Sequence, residues 1–352
     1  MTADPGGPRI LVVGAAWVGD MVMAQALFMA LRRRHPECRI TVLAPAWSRP
    51  LLARMPEVDA AIDLPFAHGE FNLGGRLALA RGLEPKRFDQ AIVLPNSFKS
   101  ALIPAFAGIP VRTGWRGEMR FGLLNDIRLL DKRRYPLMVE RFVALACPPD
   151  RPLPDPLPRP RLRADPERLA ALRATFDLDP RAPVLALCPG AEFGPAKRWP
   201  ERHYAEVART LIARGWQVWL LGSARDREVA EAIVAQLSPQ QCAATRNLAG
   251  ATELADAVDL LAAASLVVSN DSGLMHIAAA LDRPLIVVYG SSSPAFTPPL
   301  SERAETLAIP VDCGPCFRRE CPKNHRKGHL KCLDDLQPVQ VLDAAERLLD
   351  GD

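Results

Sequence analysis

The sequence predicts an α/β protein built from two doubly wound, Rossmann-like parallel sheets, and three observations carry that prediction. Short β-branched runs alternate with helical stretches, the alternation that winds a parallel sheet with helices on both faces. The pattern stops at Cys147–Pro166, CPPDRPLPDPLPRPRLRADP, where proline density leaves no room for helix or central strand, and it restarts beyond. The 352 residues are enough for two cores of ordinary size. The expected domains are residues 1–165 and 166–336, with residues 337–352 as a closing helix.

The elements of the first half follow in order. Arg9–Val13 reads as a buried strand ended by Gly14, and a long apolar-periodic helix runs from about Met21 to Arg33. Between them, Gly14 to Gly19 has the G-x-x-x-x-G spacing of a P-loop, but Asp20-Met21 follows in place of Lys and Ser/Thr. A carboxylate at the lysine position repels phosphate, which argues against a nucleotide triphosphate site there. Asp20 at the mouth of a sheet is placed for a general base or as a helix cap, and local sequence does not separate the two. Further strands are expected at Arg39–Leu43, near Ala60–Ile62, and at Asp89–Leu94. Asn96-Ser97-Phe98-Lys99-Ser100 lies just past the carboxyl end of the last, where open α/β sheets place their ligands. Arg112–Arg141 holds eight Arg/Lys against four carboxylates. A solvated basic face and a site for an anionic acceptor or anionic lipid headgroups both account for such a run.

In the second half, strands are expected at Val184–Leu187 and Gln217–Leu221, with helices over Pro200–Ala213, Arg225–Leu237 and Thr252–Ala263. Ser265–Gly290 then reads strand, loop, helix, strand, with Leu266–Ser269 and Leu285–Tyr289 as the strands. Its loop, Asn270-Asp271-Ser272-Gly273, is small and polar, so the amides that start the next helix are open to an anion such as a diphosphate. His276 follows one turn in. A simple cap by Asp271 or Ser272, with His276 packed on the sheet, is the alternative. Lys197 and Arg198 close the long loop after the first strand of this half and are placed to neutralise the same anion. Asp226, after Gly222-Ser223-Ala224-Arg225, is either an acceptor for ribose hydroxyls or an early-helix acid beside the dipole.

Composition narrows the classes of function. The chain is 49% hydrophobic and 24% charged, and its net charge of +4 gives no argument for nucleic acid. No apolar run reaches membrane-spanning length, and the first residues carry no apolar signal core, so a cytoplasmic protein is expected. A nicotinamide dehydrogenase is disfavoured, since no G-x-G-x-x-G opens either half. Cys313-x2-Cys316-x4-Cys321-x10-Cys332, with His325 and His329 between, carries zinc-ligand residue types but departs from paired C-x2-C units. A structural metal and a plain thiol cluster both remain open, and no metal is assigned to the chemistry.

Four blocks carry a family resemblance: Gly14–Gln25, Leu94–Ser100, Pro189–Pro200 and Asn270–His276. Through GAAWVGDMVMAQ, LPNSFKS, PGAEFGPAKRWP and NDSGLMH, the sequence resembles the ADP-heptose:lipopolysaccharide heptosyltransferases of glycosyltransferase family 9, most of all those that add the second heptose. The resemblance implies a GT-B architecture, two Rossmann-like domains facing across a cleft, with acceptor on the N-terminal and nucleotide-sugar on the C-terminal domain. It also implies a closing helix that crosses back onto the N-terminal domain. The implied reaction is an inverting transfer from ADP-heptose to the first heptose of heptosyl-Kdo2-lipid A, with no cofactor and no bound metal. Asp20 matches the catalytic base; Lys197, Asp271, Ser272, Gly273 and His276 match the donor site, and Asp226 matches it more loosely. Asn96, Ser97, Lys99, Arg116 and Arg120 are the expected acceptor contacts. The implied location is cytoplasmic, peripheral on the anionic inner face of the inner membrane. Transfer of the first or a later heptose, and a nucleotide-sugar-binding protein without turnover, are the alternatives.

Overall fold

The computed structural model describes residues 7–67, 69–324 and 328–350. The chain divides into two compact units, Met1–Pro160 and Arg161–Asp352, so the break falls inside the proline-dense stretch. Leu162 already belongs to the second unit, its N–H donating to Ala280 O at 3.0 Å.

The first unit holds a six-stranded parallel sheet of β1 (Arg9–Val13), β2 (Arg39–Ala44), β3 (Ala60–Asp63), β4 (Gln90–Val93), β5 (Val111–Trp115) and β6 (Asp126–Arg128), in the order β3-β2-β1-β4-β5-β6. β1 pairs with β2 on one side and β4 on the other, Val12 facing Val42 and Ile92. Its sequence RILVV is a nearly unbroken apolar run because both faces of the sheet are covered. One face packs Leu11, Val13, Leu43 and Val93 with Ala101, Ile103 and Leu124. The long helix Val18–Arg34 buries Met21–Phe28 and Leu31, and ends on Arg32, Arg33 and Arg34, whose charges suit the helix C-terminus. It starts at Val18, three residues before the expected Met21, so Asp20 stands in its first turn.

The second unit repeats the topology. β7 (Val184–Cys188), β8 (Gln217–Leu220), β9 (Thr245–Asn247), β10 (Leu266–Asn270), β11 (Leu285–Tyr289) and β12 (Ala304–Ala308) run β12-β11-β10-β7-β8-β9, the same winding as the first sheet. All five residues of each of β7, β10 and β11 are buried. Under the sheet lie Leu185, Leu187, Val268 and Ile286, packed with Trp199, Tyr204, Val207 and Leu211 from the loop and helix that follow β7.

The closing helix is Pro338–Asp350. Val341, Ala344 and Ala345, at the spacing of one helical stripe, are buried in the core of the second unit, against the helix Glu201–Ala213 and strands β11 and β12. Arg214–Glu346 at 2.9 Å and an Arg347–Glu305 pair fix its polar flanks to the same unit. Among the described residues, no helix is long and apolar enough to cross a membrane.

Candidate active site

In a sheet of this winding, the crevice opens between the two central strands whose connections leave in opposite directions. In the second unit those strands are β7 and β10, which pair directly, Ser269 facing Cys188. The loop Pro189–Pro200 leaves β7 and the loop Asp271–Ser272 leaves β10 at the same end. Asn270, fully buried as the last residue of β10, binds the two loops together. Its Oδ1 accepts from Trp199 N–H at 2.9 Å and Tyr204 O–H at 3.0 Å, while its Nδ2 donates to Pro189 O at 2.6 Å. The sequence reading placed Asn270 in the loop but missed this strut.

Lys197 and Asp271, 74 positions apart, meet here: Lys197 Nζ lies 2.5 Å from Asp271 Oδ2. Ser292 Oγ donates to the same carboxylate oxygen at 2.5 Å. Asp271 is 5% exposed, so this is an ion pair taken almost wholly out of water. The Lys197 ammonium also lies 5.0 Å from the centre of the Phe193 ring, with the Arg319 guanidinium 5.5 Å from it. Ser292, Phe193 and Arg319 were not anticipated. For Ser292 the signal was present, since Gly290-Ser291-Ser292-Ser293 follows a fully buried strand.

The helix Gly273–Ala280 begins beside this pair. Ser272 is its N-cap residue but makes no side-chain cap hydrogen bond, and Asp271 is engaged by Lys197 and Ser292. The plain capping reading of this loop is therefore not what forms. Uncapped amides and the helix dipole face the crevice, the arrangement that receives an anion. His276, in the second turn, is 5% exposed, and burial pulls its pKa down to about 4, Asp271 opposing and Lys197 reinforcing the shift. It is therefore a neutral imidazole at neutral pH.

Asp226 stands over the neighbouring loop. Its Oδ2 accepts from Ser223 N–H at 2.9 Å and Ser223 Oγ at 2.8 Å, closing a capping box, and Oδ1 lies 3.9 Å from Arg198 Nη2. A Cβ on Gly190 would sit 2.3 Å from this carboxyl carbon, which is why glycine follows Pro189. Among the described residues, two buried atoms nearby have no hydrogen-bond partner, Arg198 Nε and Ser291 Oγ. Cations, open amides and unused donors gathered at one strand end suit a nucleoside diphosphate.

In the first unit the corresponding strands are β1 and β4. Asp20 occupies the third position of the helix after β1, partly exposed; the cap position is Trp17, which makes no side-chain cap bond. Past β4, Asn96 is exposed and Ser97 half-buried. Lys99 Nζ turns back to Glu70 O at 3.2 Å. Arg116 is exposed. Arg120 differs from the expectation of an acceptor ligand: it is 2% exposed, donating to Pro95 O at 2.7 Å, to Asn96 Oδ1 at 3.3 Å and to Trp115 O. Its guanidinium holds Asn96 in place from behind.

Among the described residues, no three His, Cys, Asp or Glu side chains converge as metal ligands, and His325 lies outside the described residues. Cys313, Cys316, Cys321 and Cys332 are free thiols, with Leu330 N–H donating to Cys321 Sγ at 3.4 Å. Burial, with the other three thiols close by, pushes the Cys332 thiol up. The segment frames the crevice through its backbone: Arg319 O accepts from Ala196 N–H at 3.0 Å, and Phe317 N–H donates to Ser291 O at 2.7 Å.

Comparison with known proteins meets this geometry. The profile of glycosyltransferase family 9 (heptosyltransferase) matches residues 76–327. The lipopolysaccharide heptosyltransferase 2 of Salmonella typhimurium is 51% identical over 346 residues, covering 97% of this chain and 98% of that one. The enzyme of the same name from Escherichia coli K12 is 51% identical over the same shares. The solved structure of E. coli ADP-heptose lps heptosyltransferase II superposes with a TM-score of 0.88 at 50% identity, over 97% of this chain and 98% of that chain.

Proposed function

Because the chain belongs to glycosyltransferase family 9, we propose that it moves heptose from ADP-heptose to the first heptose of the lipopolysaccharide inner core, on heptosyl-Kdo2-lipid A. It is a glycosyltransferase of the GT-B fold class, with two Rossmann-like sheets of matching order. The observation that carries the donor half of the reading is the Lys197–Asp271 pair, set against a helix whose N-terminal amides have no side-chain cap.

The departing ADP is a diphosphate anion. Amides at the start of the helix Gly273–Ala280, with Lys197, take up the charge that grows on it as the glycosidic bond breaks. Each preorganised donor of this kind is worth roughly 2–4 kcal/mol of barrier. Asp271 and Ser272 shape that loop, Gly273 lets the phosphate approach its backbone, and Asp226 offers its Oδ1 to the ribose hydroxyls. His276, neutral, serves as a hydrogen-bonding group and not as a cation. Asp20 takes the proton from the acceptor hydroxyl as that oxygen attacks the anomeric carbon from the face opposite ADP, inverting it. Asn96, Ser97, Lys99 and Arg116 hold the acceptor, with Arg120 fixing Asn96. Because the acceptor is anchored in lipid, the protein works as a peripheral protein on the inner face of the inner membrane, with no nucleic-acid partner.

The test is incubation with ADP-heptose and a one-heptose core acceptor, read by mass spectrometry. The proposal expects one added heptose and released ADP. ADP-heptose binding without transfer would leave a binding protein instead, and transfer only to an acceptor lacking heptose would move the reaction to the first position.

A further inference from the structure

We propose that the loops leaving β5 and β6 form a bilayer-docking face, with Met119, Phe121 and Leu129 entering the headgroup boundary of an anionic membrane and Lys132 and Arg133 meeting its phosphates. The proposal rests on the reading of a lipid-anchored acceptor and names the surface that reaches it. These three apolar side chains are 80%, 70% and 65% exposed, the most exposed large hydrophobics among the described residues, and they fall within eleven positions of one another. The two loops adjoin, since β5 pairs with β6 and Arg116 N–H donates to Arg128 O at 2.7 Å.

The exposure is built in. Arg120 points inward and is pinned by Pro95 O, Asn96 Oδ1 and Trp115 O, so its neighbours Met119 and Phe121 are turned out. The same loop is fastened to the candidate acceptor segment. Glu118 N–H donates to Asn96 O at 3.1 Å, Phe98 N–H donates to Glu118 Oε2 at 2.6 Å, and a Cβ on Gly117 would sit 2.3 Å from Asn96 O. A rigid apolar edge next to the acceptor residues suits a substrate whose sugar projects from a membrane.

Charge selects the same partner. Glu118 and Asp131, held by the Phe98 N–H and by the Arg133 N–H at 2.8 Å, keep their charge but are outnumbered by Lys132, Arg133 and Arg134, all exposed. Apolar insertion plus a basic rim is the two-part signal that gives stable interfacial binding to anionic lipid.

The test is sedimentation of the purified protein with vesicles of phosphatidylglycerol and phosphatidylcholine, against phosphatidylcholine alone. Binding is expected on the anionic vesicles. M119S/F121S is expected to weaken it about tenfold or more, from loss of two inserted side chains. K132E/R133E should weaken it more than about fivefold per charge at low salt, less at high salt. Both variants should keep their turnover on a delipidated, water-soluble acceptor and show raised KM on the acceptor embedded in vesicles. Wild-type protein that ignores anionic vesicles, or variants that bind as wild type does, overturn the proposal. So does loss of soluble-acceptor turnover with vesicle binding retained, which would place the face in the sugar site, or a self-association that the variants abolish. Failure of the wild-type protein to transfer heptose to the soluble acceptor would instead count against the proposed function, with the vesicle result standing apart.

Discussion

The proposed mechanism gives Lys197 a second role beside its pairing with Asp271, and paired substitutions separate the two. Lys197→Met removes the only cation within ion-pair distance of the Asp271 carboxylate among the described pairs, leaving it 5% exposed with Ser292 as its remaining hydrogen-bond donor. Removing one partner of a buried pair costs about 3–5 kcal/mol, and the partial exposure of Lys197 lowers this to roughly 2–4 kcal/mol. For a cooperative unit of the size of Arg161–Asp352 that is a fall in melting temperature of about 4–16 °C. The double variant Lys197→Met/Asp271→Asn takes away the stranded charge and should recover most of that loss. Turnover should behave differently. If Lys197 stabilises the leaving diphosphate, kcat/KM stays down by about 10²–10³ in both variants, because no cation returns. The assay is calorimetry paired with ADP release. A double variant that regains both stability and turnover would reduce Lys197 to a counterion for Asp271, and the donor argument would fail.

Three further outcomes are expected. Asp20→Asn should bind ADP by titration calorimetry as the wild type does while transfer falls about 10²–10⁴-fold; near-normal turnover removes Asp20 from the mechanism. Asn270→Ala strands Trp199 N–H, Tyr204 O–H and Pro189 O, all buried or half-buried, and at about 1–3 kcal/mol each the loss in urea unfolding should exceed about 3 kcal/mol. His276 is held neutral by burial, its pKa pulled to about 4, so the unfolded chain binds the proton that the folded chain refuses. Its contribution is present above about pH 6.5 and is lost as pH falls toward about 4, amounting to roughly 3 kcal/mol. His276→Gln should flatten that part of the stability-pH profile, and an unchanged acid limb would show that another group sets it.

The sequence made the central strands legible because each is a short apolar run buried on both faces, as in RILVV, VLALC and LIVVY. β6, β9 and β12, reading DIR, TRN and AETLA, lie at sheet edges where half-exposed positions take polar residues, and they carried no such signal. β5 was hidden for another reason: its Gly114 is there because Leu124 packs where a Cβ would sit, at 2.9 Å. Lys197 and Asp271 were both singled out from loop composition, yet their contact depends on β7 and β10 being neighbours. Arg120 was misjudged because a loop arginine is ordinarily solvated, and no local pattern announces that three oxygens await it inside.

One winding, used twice, yields crevices of opposite character, and connection length is the reason. After β1 the short Gly14–Trp17 turn leads straight into the helix Val18–Arg34, so its first turn, with Asp20, stands at the strand ends. A carboxylate there faces the positive end of the helix dipole. After β7 the long Pro189–Pro200 loop sets the next helix further along the chain and brings Lys197 over the sheet instead. Close packing of that loop explains its glycines: Gly190 lies under Asp226, and Gly194, at φ 152°, lies against Arg319 O, where a Cβ would come within 2.4 Å. Shortening this loop by deleting Phe193–Gly194 should therefore abolish ADP binding while leaving the β7–β10 pairing intact, since that pairing is made by strand residues alone. Titration with ADP beside far-ultraviolet circular dichroism reads both. Retained ADP affinity would mean that the helix amides suffice and that the cation delivered by the loop is dispensable.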